Sequence, residues 1–152
     1  MSEPISDIHP FTPKSLRAVT HRQLHVQHRI SLSAQTTLVL GQGELFRHVN
    51  PDDFMWNGDG DRHLNVFIAF TKPLRRVPLV QVNLMGVDAS HAQNLRLKLR
   101  VSDAAVTGFV VTAHTWQDTK LAGVDISWSA FEQSNSAPPA WVAASRDQHV
   151  PS

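Results

Sequence analysis

Residues 91–130 read HAQNLRLKLRVSDAAVTGFVVTAHTWQDTKLAGVDISWSA, and this stretch decides the fold. Apolar and polar residues alternate along most of it, a period of two that is typical of β-strands with one buried face. Turn-forming residues at Asp103, Gly108 and Gly123 separate the alternating runs. The pattern predicts three strands with inward-facing Leu95, Leu97, Leu99 and Val101, then Phe109, Val111 and Ala113, then Val124, Ile126, Trp128 and Ala130.

The alternation extends upstream, with predicted strands at Leu64, Val66, Ile68 and Phe70 and at Val80, Val82 and Leu84. The segment TTLVLGQGEL, residues 36–45, predicts another strand, in which Gly41 and Gly43 indicate a bulge or a close backbone approach. LHVQHRISL, residues 24–32, places Leu24, Val26, His28, Ile30 and Leu32 on one strand face. Five to seven short strands without a helical period favour an antiparallel β-sandwich with almost no helix.

Composition narrows the class of protein. The 152 residues are 41% hydrophobic and 18% charged, which suits one compact domain with loose ends. The formal net charge of +1 argues against a nucleic-acid partner, and the lack of cysteine excludes disulfides and thiolate chemistry. Neither a signal-peptide pattern nor an apolar run of about 18 residues is present. We therefore expect a soluble protein without membrane insertion, in a compartment that the sequence leaves open.

The predicted organisation has three parts. Residues 1–34 form an N-terminal arm with one strand, residues 35–132 form the sandwich, and residues 133–152 form a flexible tail rich in Ser, Ala and Pro. Within the sandwich, HVNPDDFMWNGDGDRH, residues 48–63, is expected to be an exposed loop, since it concentrates turn formers between two alternating runs.

Four pieces in register resemble the H-type lectin family, which includes snail agglutinins and the lectin domain of slime-mould discoidins. They are Asn94-Leu95-Arg96, Thr107-Gly108-Phe109, Thr115-Trp116 with Asp118-Thr119, and Ser127-Trp128. The resemblance covers a little over half of the chain. It implies a six-stranded antiparallel β-sandwich, here with an N-terminal extension. It also implies a homotrimer, or a hexamer of paired trimers, that binds galactose or N-acetylgalactosamine at the subunit boundaries.

The resemblance also assigns candidate site residues. Asp59 matches a loop aspartate whose carboxylate accepts from two adjacent sugar hydroxyls, and Asn57 lies beside it in the same loop. Arg96 matches a sugar-contacting arginine, whose planar fork can donate to two hydroxyls at once. The alternative interpretation is an acidic turn around Asp59 and a solvated basic stripe of Arg96, Lys98 and Arg100.

Trp116 and Gln117 match a corner where the family has tryptophan followed by a polar contact residue, commonly histidine. Trp116 is equally suited to packing, and Gln117 keeps a donor and an acceptor but does not titrate near neutral pH. Ala122 stands where some family members carry a tyrosine against the sugar. Trp56 is a possible replacement for that ring, and Asp118 is expected to form a turn hydrogen bond.

The sequence gives little support for a metal site or for catalysis. His21, His25 and His28 have a spacing that would align zinc ligands on a helix, but a strand sends His25 and His28 to opposite faces. Asn57, Asp59 and Asp61 are spaced as in a calcium loop, yet no glycine follows Asp61. No catalytic motif is present. We expect no metal, no cofactor and no enzymatic activity.

Two functional hypotheses follow. The first is a lectin whose galacto-configured sugar lies between Asp59, Arg96 and Gln117 in a trimer. The alternative is a trimeric structural or adaptor module with a decayed or retuned sugar site, in which the N-terminal arm docks the trimer on a larger assembly.

Overall fold

The computed structural model describes residues 21–133, which form two four-stranded sheets packed face to face. The elements, in chain order, are β1 (His21–Gln23), β2 (Val26–Ser31), β3 (Thr37–Arg47), α1 (Phe54–Asn57), β4 (Arg62–Ala69), β5 (Leu79–Ala89), β6 (Lys98–Ala105), β7 (Gly108–Thr115) and β8 (Leu121–Glu132). The first sheet has the order β1-β4-β7-β6, and the second has the order β2-β3-β8-β5.

The all-β sandwich is confirmed, but two details of the prediction are wrong. The six strands predicted within residues 35–132 are present as β3 to β8, but residues 21–31 contain two strands where one was predicted, and β1 pairs with β4 in parallel. Both differences arise in the predicted N-terminal arm, because β1 and β2 each join a different sheet at its edge. Residues 21–31 therefore belong to the sandwich, whereas residues 1–20 and 134–152 lie outside the described part.

The core lies between the two sheets and follows the predicted alternation. Leu64, Val66 and Ile68 of β4 are fully buried. Across the sandwich, the Trp128 ring meets the rings of Phe109 and Phe70, with centroids 5.1 and 5.8 Å apart. Two positions of the predicted alternation are exceptions: Leu84 of β5, which is 49% exposed, and Leu95, which precedes β6. Leu95 is 51% exposed, because β6 begins only at Lys98 and the preceding segment does not keep the strand period.

The N-terminal strands reverse the usual pattern of a half-buried strand. Leu24 and Val26 are 65% and 69% exposed, while the intervening His25 is buried. On the inner side, the Gln27 side chain donates to the Ala69 carbonyl at 2.7 Å and accepts from the Thr71 amide at 3.0 Å. Polar residues face inward here because the open backbone groups after β4 offer them hydrogen-bond partners.

His25 joins this N-terminal segment to the core. The Trp128 indole Nε1–H donates to His25 Nδ1 at 3.1 Å, which leaves His25 Nε2 to donate to the Glu44 carbonyl at 2.8 Å. The ring occupies space above Gly43, where an added Cβ would lie 2.5 Å from His25 Cδ2. At Gly41 a Cβ would lie 2.1 Å from Trp128 Cζ2. The predicted close approach at these two glycines is therefore confirmed, and a bulge follows between Glu44 and Phe46.

The described residues contain little helix. The single-turn α1 interrupts the loop after β3. Among residues 21–133, the structure contains no helix with the length and apolarity that crossing a membrane requires.

We expect Gly43→Ala to lower the free energy of unfolding by about 1–3 kcal/mol, because the new methyl group must displace the His25 ring. Gly86→Ala is the matched control, since its Cβ would meet Asp125 Oδ2 at an ordinary 3.5 Å. Urea unfolding of both variants measures the difference. Equal stabilities would show that the His25 ring is not confined above Gly43.

We also expect stability to fall on acidification. Burial lowers the pKa of His25 below its ordinary value of 6.5, and it does the same for His48. The unfolded chain then binds more protons than the folded one, so stability is complete above pH 6.5 and declines as the pH drops toward the lowered pKa values. Urea unfolding at several pH values measures this slope. His25→Gln, which keeps a donor and an acceptor without titrating, should reduce the slope, and an unchanged slope would contradict the role given to His25.

Candidate functional site

Three segments meet at one end of the sandwich: the loop from β3 to β4, the corner from β7 to β8, and the residues just before β6. The loop is shaped locally by Asp53, whose carboxylate accepts from the Asn50 amide at 2.8 Å before α1 begins. At the end of α1, the Gly58 amide donates to the Phe54 carbonyl at 2.8 Å. A Cβ on Gly58 would lie 2.3 Å from that oxygen, so only glycine fits.

Arg62, the first residue of β4, joins the loop to the β7–β8 corner. Its side chain is buried, and its guanidinium donates to five backbone carbonyls. Nε donates to Gly60 at 3.0 Å, and Nη1 donates to Phe54 and Met55 at 3.3 and 3.1 Å. Nη2 crosses to the corner, where it donates to Gln117 and Thr119 at 3.1 and 2.6 Å. Burial lowers the pKa of Arg62, and the nearby Asp59 carboxylate acts in the opposite direction.

Gln117 takes a strained conformation at this corner. Its φ of 57° lies in the left-handed region, which a residue with a Cβ adopts at a cost of about 1–2 kcal/mol. Two donors hold its carbonyl, Arg62 Nη2 at 3.1 Å and the Gly60 amide at 2.9 Å. The side chain is exposed. The corner therefore fixes the backbone while leaving the Gln117 amide available to a ligand.

Arg96 is held through one nitrogen. Nη1 donates to the carboxylate of Asp118 at 2.7 Å, to Thr119 Oγ1 at 3.2 Å and to the Asn94 carbonyl at 3.3 Å. Thr119 Oγ1 itself donates to the Asn94 carbonyl at 2.6 Å. Nε and Nη2 of Arg96 have no partner within residues 21–133. Among the described residues, the guanidinium fork is thus positioned through one nitrogen while its other two nitrogens have no acceptor.

Trp116 lies next to Gln117 at the end of β7, where it is half-buried. Its ring centroid is 5.1 Å from that of His114, and Lys98 Nζ lies over it at 5.5 Å. These contacts place the indole on the outer side of the first sheet, near the corner.

The remaining predicted residues take different positions. Asp59 is exposed and adjoins Gly60, whose amide bonds to Gln117, so Asp59 and Gln117 share this end of the sandwich. Asn57 turns back toward its own loop, where its amide donates to the carbonyls of Asn50 and Pro51. Ala122 is 8% exposed and its carbonyl accepts from the His48 amide, so its methyl group offers little surface to a ligand within one chain.

Sequence reasoning missed two features of this site. Arg62 received no role, because a basic residue at the start of a strand carries no signal of burial. Asp118 was expected to form a turn hydrogen bond, but its carboxylate pairs with Arg96. Trp56, the possible replacement for the missing tyrosine, is half-buried in α1, and its carbonyl accepts from Lys120 Nζ at 3.3 Å.

The three histidines considered as zinc ligands, His21, His25 and His28, do not share one site. His25 is bonded to Trp128 and Glu44, His21 faces His48, and His28 is exposed. Within residues 21–133, no group of three or more His, Cys, Asp or Glu side chains is arranged to hold a metal ion.

Comparisons with known proteins place the chain in a family. The sequence profile described as "H-type lectin domain" matches residues 65–131. A protein of Fuscovulum blasticum described as "ATP synthase subunits region ORF 7" is 31% identical over 102 residues, which cover 67% of this chain and 89% of that protein. The chain belongs to the H-type lectin domain family. This membership supports a carbohydrate-binding lectin.

Solved structures agree with the lectin fold. Recombinant discoidin II of Dictyostelium discoideum superposes with a TM-score of 0.58 at 19% identity, over 70% of this chain and 40% of that one. The wild-type discoidin II structure gives a TM-score of 0.58 at 18% identity, over 69% and 40% of the two chains. At this identity the likeness concerns the fold, and the chain matches less than half of the length of discoidin II.

We expect Arg62→Lys to destabilise the lectin domain by at least about 2 kcal/mol, because a single ammonium cannot reach the carbonyls of both segments that the planar guanidinium bonds at once. Thermal and urea unfolding measure the loss. Arg100→Lys is the matched control, since Arg100 is exposed on β6 and the charge is retained. Equal stability of the two variants would mean that the guanidinium bonds do not hold the loop to the corner.

Proposed function

We propose that this H-type lectin domain binds glycans ending in galactose or N-acetylgalactosamine, in a shallow site formed by Asp59, Arg96 and Gln117. The observation that carries the proposal is the hydrogen bonding of the Arg96 guanidinium. Its guanidinium is anchored through Nη1, while Nε and Nη2 have no partner among the described residues. A positioned, partly free fork suits recognition of two neighbouring hydroxyls, because little side-chain entropy is lost on binding.

The three side chains offer complementary chemistry. The exposed Asp59 carboxylate accepts hydrogen bonds, Arg96 donates them, and the Gln117 amide does both. Vicinal sugar hydroxyls both donate and accept, so a carboxylate facing a guanidinium can bind one pair of hydroxyls from two sides. Trp116 lies beside Gln117 and supplies an apolar ring face to the same end of the domain. Asn57 and Ala122 would line the proposed site without making the main hydrogen bonds to the sugar.

We further propose a homotrimer, in which neighbouring subunits complete each sugar site. Support for assembly, but not for the composition of the site, comes from the outer face of the second sheet. There Ile30, Leu38, Phe131 and Leu79 lie in register across all four strands, at the end away from the β7–β8 corner. Ile30 and Leu79 are 41% and 65% exposed, and the nearby Leu40 is 38% exposed. An apolar row of this extent favours a subunit interface. Three weak sites on one assembly would then bind clustered glycans with higher avidity.

Arg96→Ala tests the site. We expect the affinity for N-acetylgalactosamine, measured by calorimetry, to fall by about 10-fold or more, since a charge-assisted hydrogen bond contributes about 1.5–3 kcal/mol. Arg100→Ala, on the same segment of chain but further along β6, should change the affinity less than about twofold. Circular dichroism melting of each variant checks that the fold is retained.

The possible outcomes test the assignment of the site residues and the sugar preference separately. Unchanged binding by the Arg96→Ala variant would overturn the site assignment, and a glycan array without any galacto-type ligand for the wild-type chain would overturn the sugar preference. Light scattering on the same samples measures the assembly. A mass equal to the 16.9 kDa of one chain would overturn the trimer.

A further inference from the structure

A row of rings and cations crosses the outer face of the first sheet. His63 of β4 and His114 of β7 are direct partners in the strand register, and their rings stack in parallel with centroids 4.1 Å apart and planes 5° apart. Lys98 of β6 is the register partner of His114 on its other side. The three strands therefore present His63, His114 and Lys98 side by side.

Trp116 connects this row to the candidate sugar site. Its ring lies 5.1 Å from that of His114 and is covered by Lys98 Nζ at 5.5 Å. Gln117, the next residue, belongs to the sugar site. A saccharide bound at Gln117 that extends onto the first sheet would therefore meet the Trp116 ring and Lys98 first.

The charge of this face is predominantly basic. Lys98, Arg100 and His63 are exposed, and His114 is 21% exposed at its side chain. Two exposed carboxylates lie near the row. Asp61 Oδ1 is 3.5 Å from His114 Nε2, and Asp118, two residues after Trp116, is paired with Arg96 at 2.7 Å. Because Arg96 neutralises Asp118, an anion that approaches Lys98 meets a net positive charge.

We infer that Lys98, His63, His114 and Trp116 form a second subsite, which binds an anionic group carried by the glycan: a sulfate ester or a sugar carboxylate. The inference rests on the proposed sugar site, which it extends from a neutral to an acidic ligand. Lys98 supplies a charge-assisted bond to an anionic oxygen, and the exposed imidazole of His63, stacked on His114, supplies a further donor. The Trp116 ring, which Lys98 Nζ covers, holds that ammonium beside the proposed sugar site.

Calorimetry with four probes tests this subsite: N-acetylgalactosamine, its 4-sulfate, its 6-sulfate, and the disaccharide glucuronic acid linked β1,3 to N-acetylgalactosamine. The full chain is used at low ionic strength, and EDTA is present so that a cation held by the histidines cannot contribute. We expect at least one acidic probe to bind about fivefold or more tightly than the neutral sugar, with the difference shrinking at high salt. The sulfate and carboxylate arms identify which anion the subsite takes.

Lys98→Gln and His63→Gln should each remove most of this preference and leave the affinity for neutral N-acetylgalactosamine within about twofold. Arg22→Gln is the matched control. It removes a positive charge from the same face at its far end, where Arg22 covers the ring of Phe67. Equal binding of acidic and neutral probes would overturn the subsite, as would equal losses in the Lys98 and Arg22 variants, which would indicate a diffuse field.

The same experiment separates failure of the subsite from failure of the proposed function. Tight binding of the neutral sugar without any gain from the anion would overturn the subsite alone. Binding of acidic probes that depends on Lys98 but not on Arg96 would support the subsite and overturn the proposed galacto site. Absence of binding by all four probes would overturn both.

Discussion

The buried guanidinium of Arg62 is the interaction on which the functional end of the molecule depends. Five backbone carbonyls from two distant segments converge on one side chain. Burying a cation is costly, and the cost is offset here because all five N–H donors of the guanidinium bond to backbone carbonyls. These bonds hold the β3–β4 loop, which consists mostly of polar residues, in one conformation beside the β7–β8 corner.

From this anchor the site acquires its geometry. The carbonyl of Gln117 is held by Arg62 and by Gly60, and this hold stabilises a left-handed backbone that directs the residue outward. Arg96 is fixed separately by the Asp118–Thr119 turn. Recognition of a sugar by such prepositioned donors and acceptors loses little conformational entropy, which suits a shallow site. The basic row beside it would extend recognition to charged glycans without altering the neutral site.

The N-terminal strands link the fold to assembly. The polar ring of His25 lies in the core, where Nδ1 accepts a hydrogen bond from the Trp128 indole and Nε2 donates one to the Glu44 carbonyl. Because side chains alternate along a strand, the inward position of His25 places Val26 and Ile30 on the outer face, beside Leu40 of β3. An apolar outer face is unfavourable for a single chain in water, and a subunit interface would bury it. The same hydrogen bonds that attach β2 to the sandwich thus generate the surface on which the proposed trimer relies.

The sequence by itself determined seven of the eight described strands, most of their inward residues and the family. Side chains alternate across any β-strand, so the burial of Leu64, Val66, Ile68 and Trp128 could be predicted from local order alone. Only the tertiary structure decided which face of β2 turns inward, because alternation defines two faces and the contacts of His25 and Gln27 choose between them. It alone also decided the role of Arg62 and the backbone of Gln117, since both depend on carbonyls that converge only after distant loops have packed together.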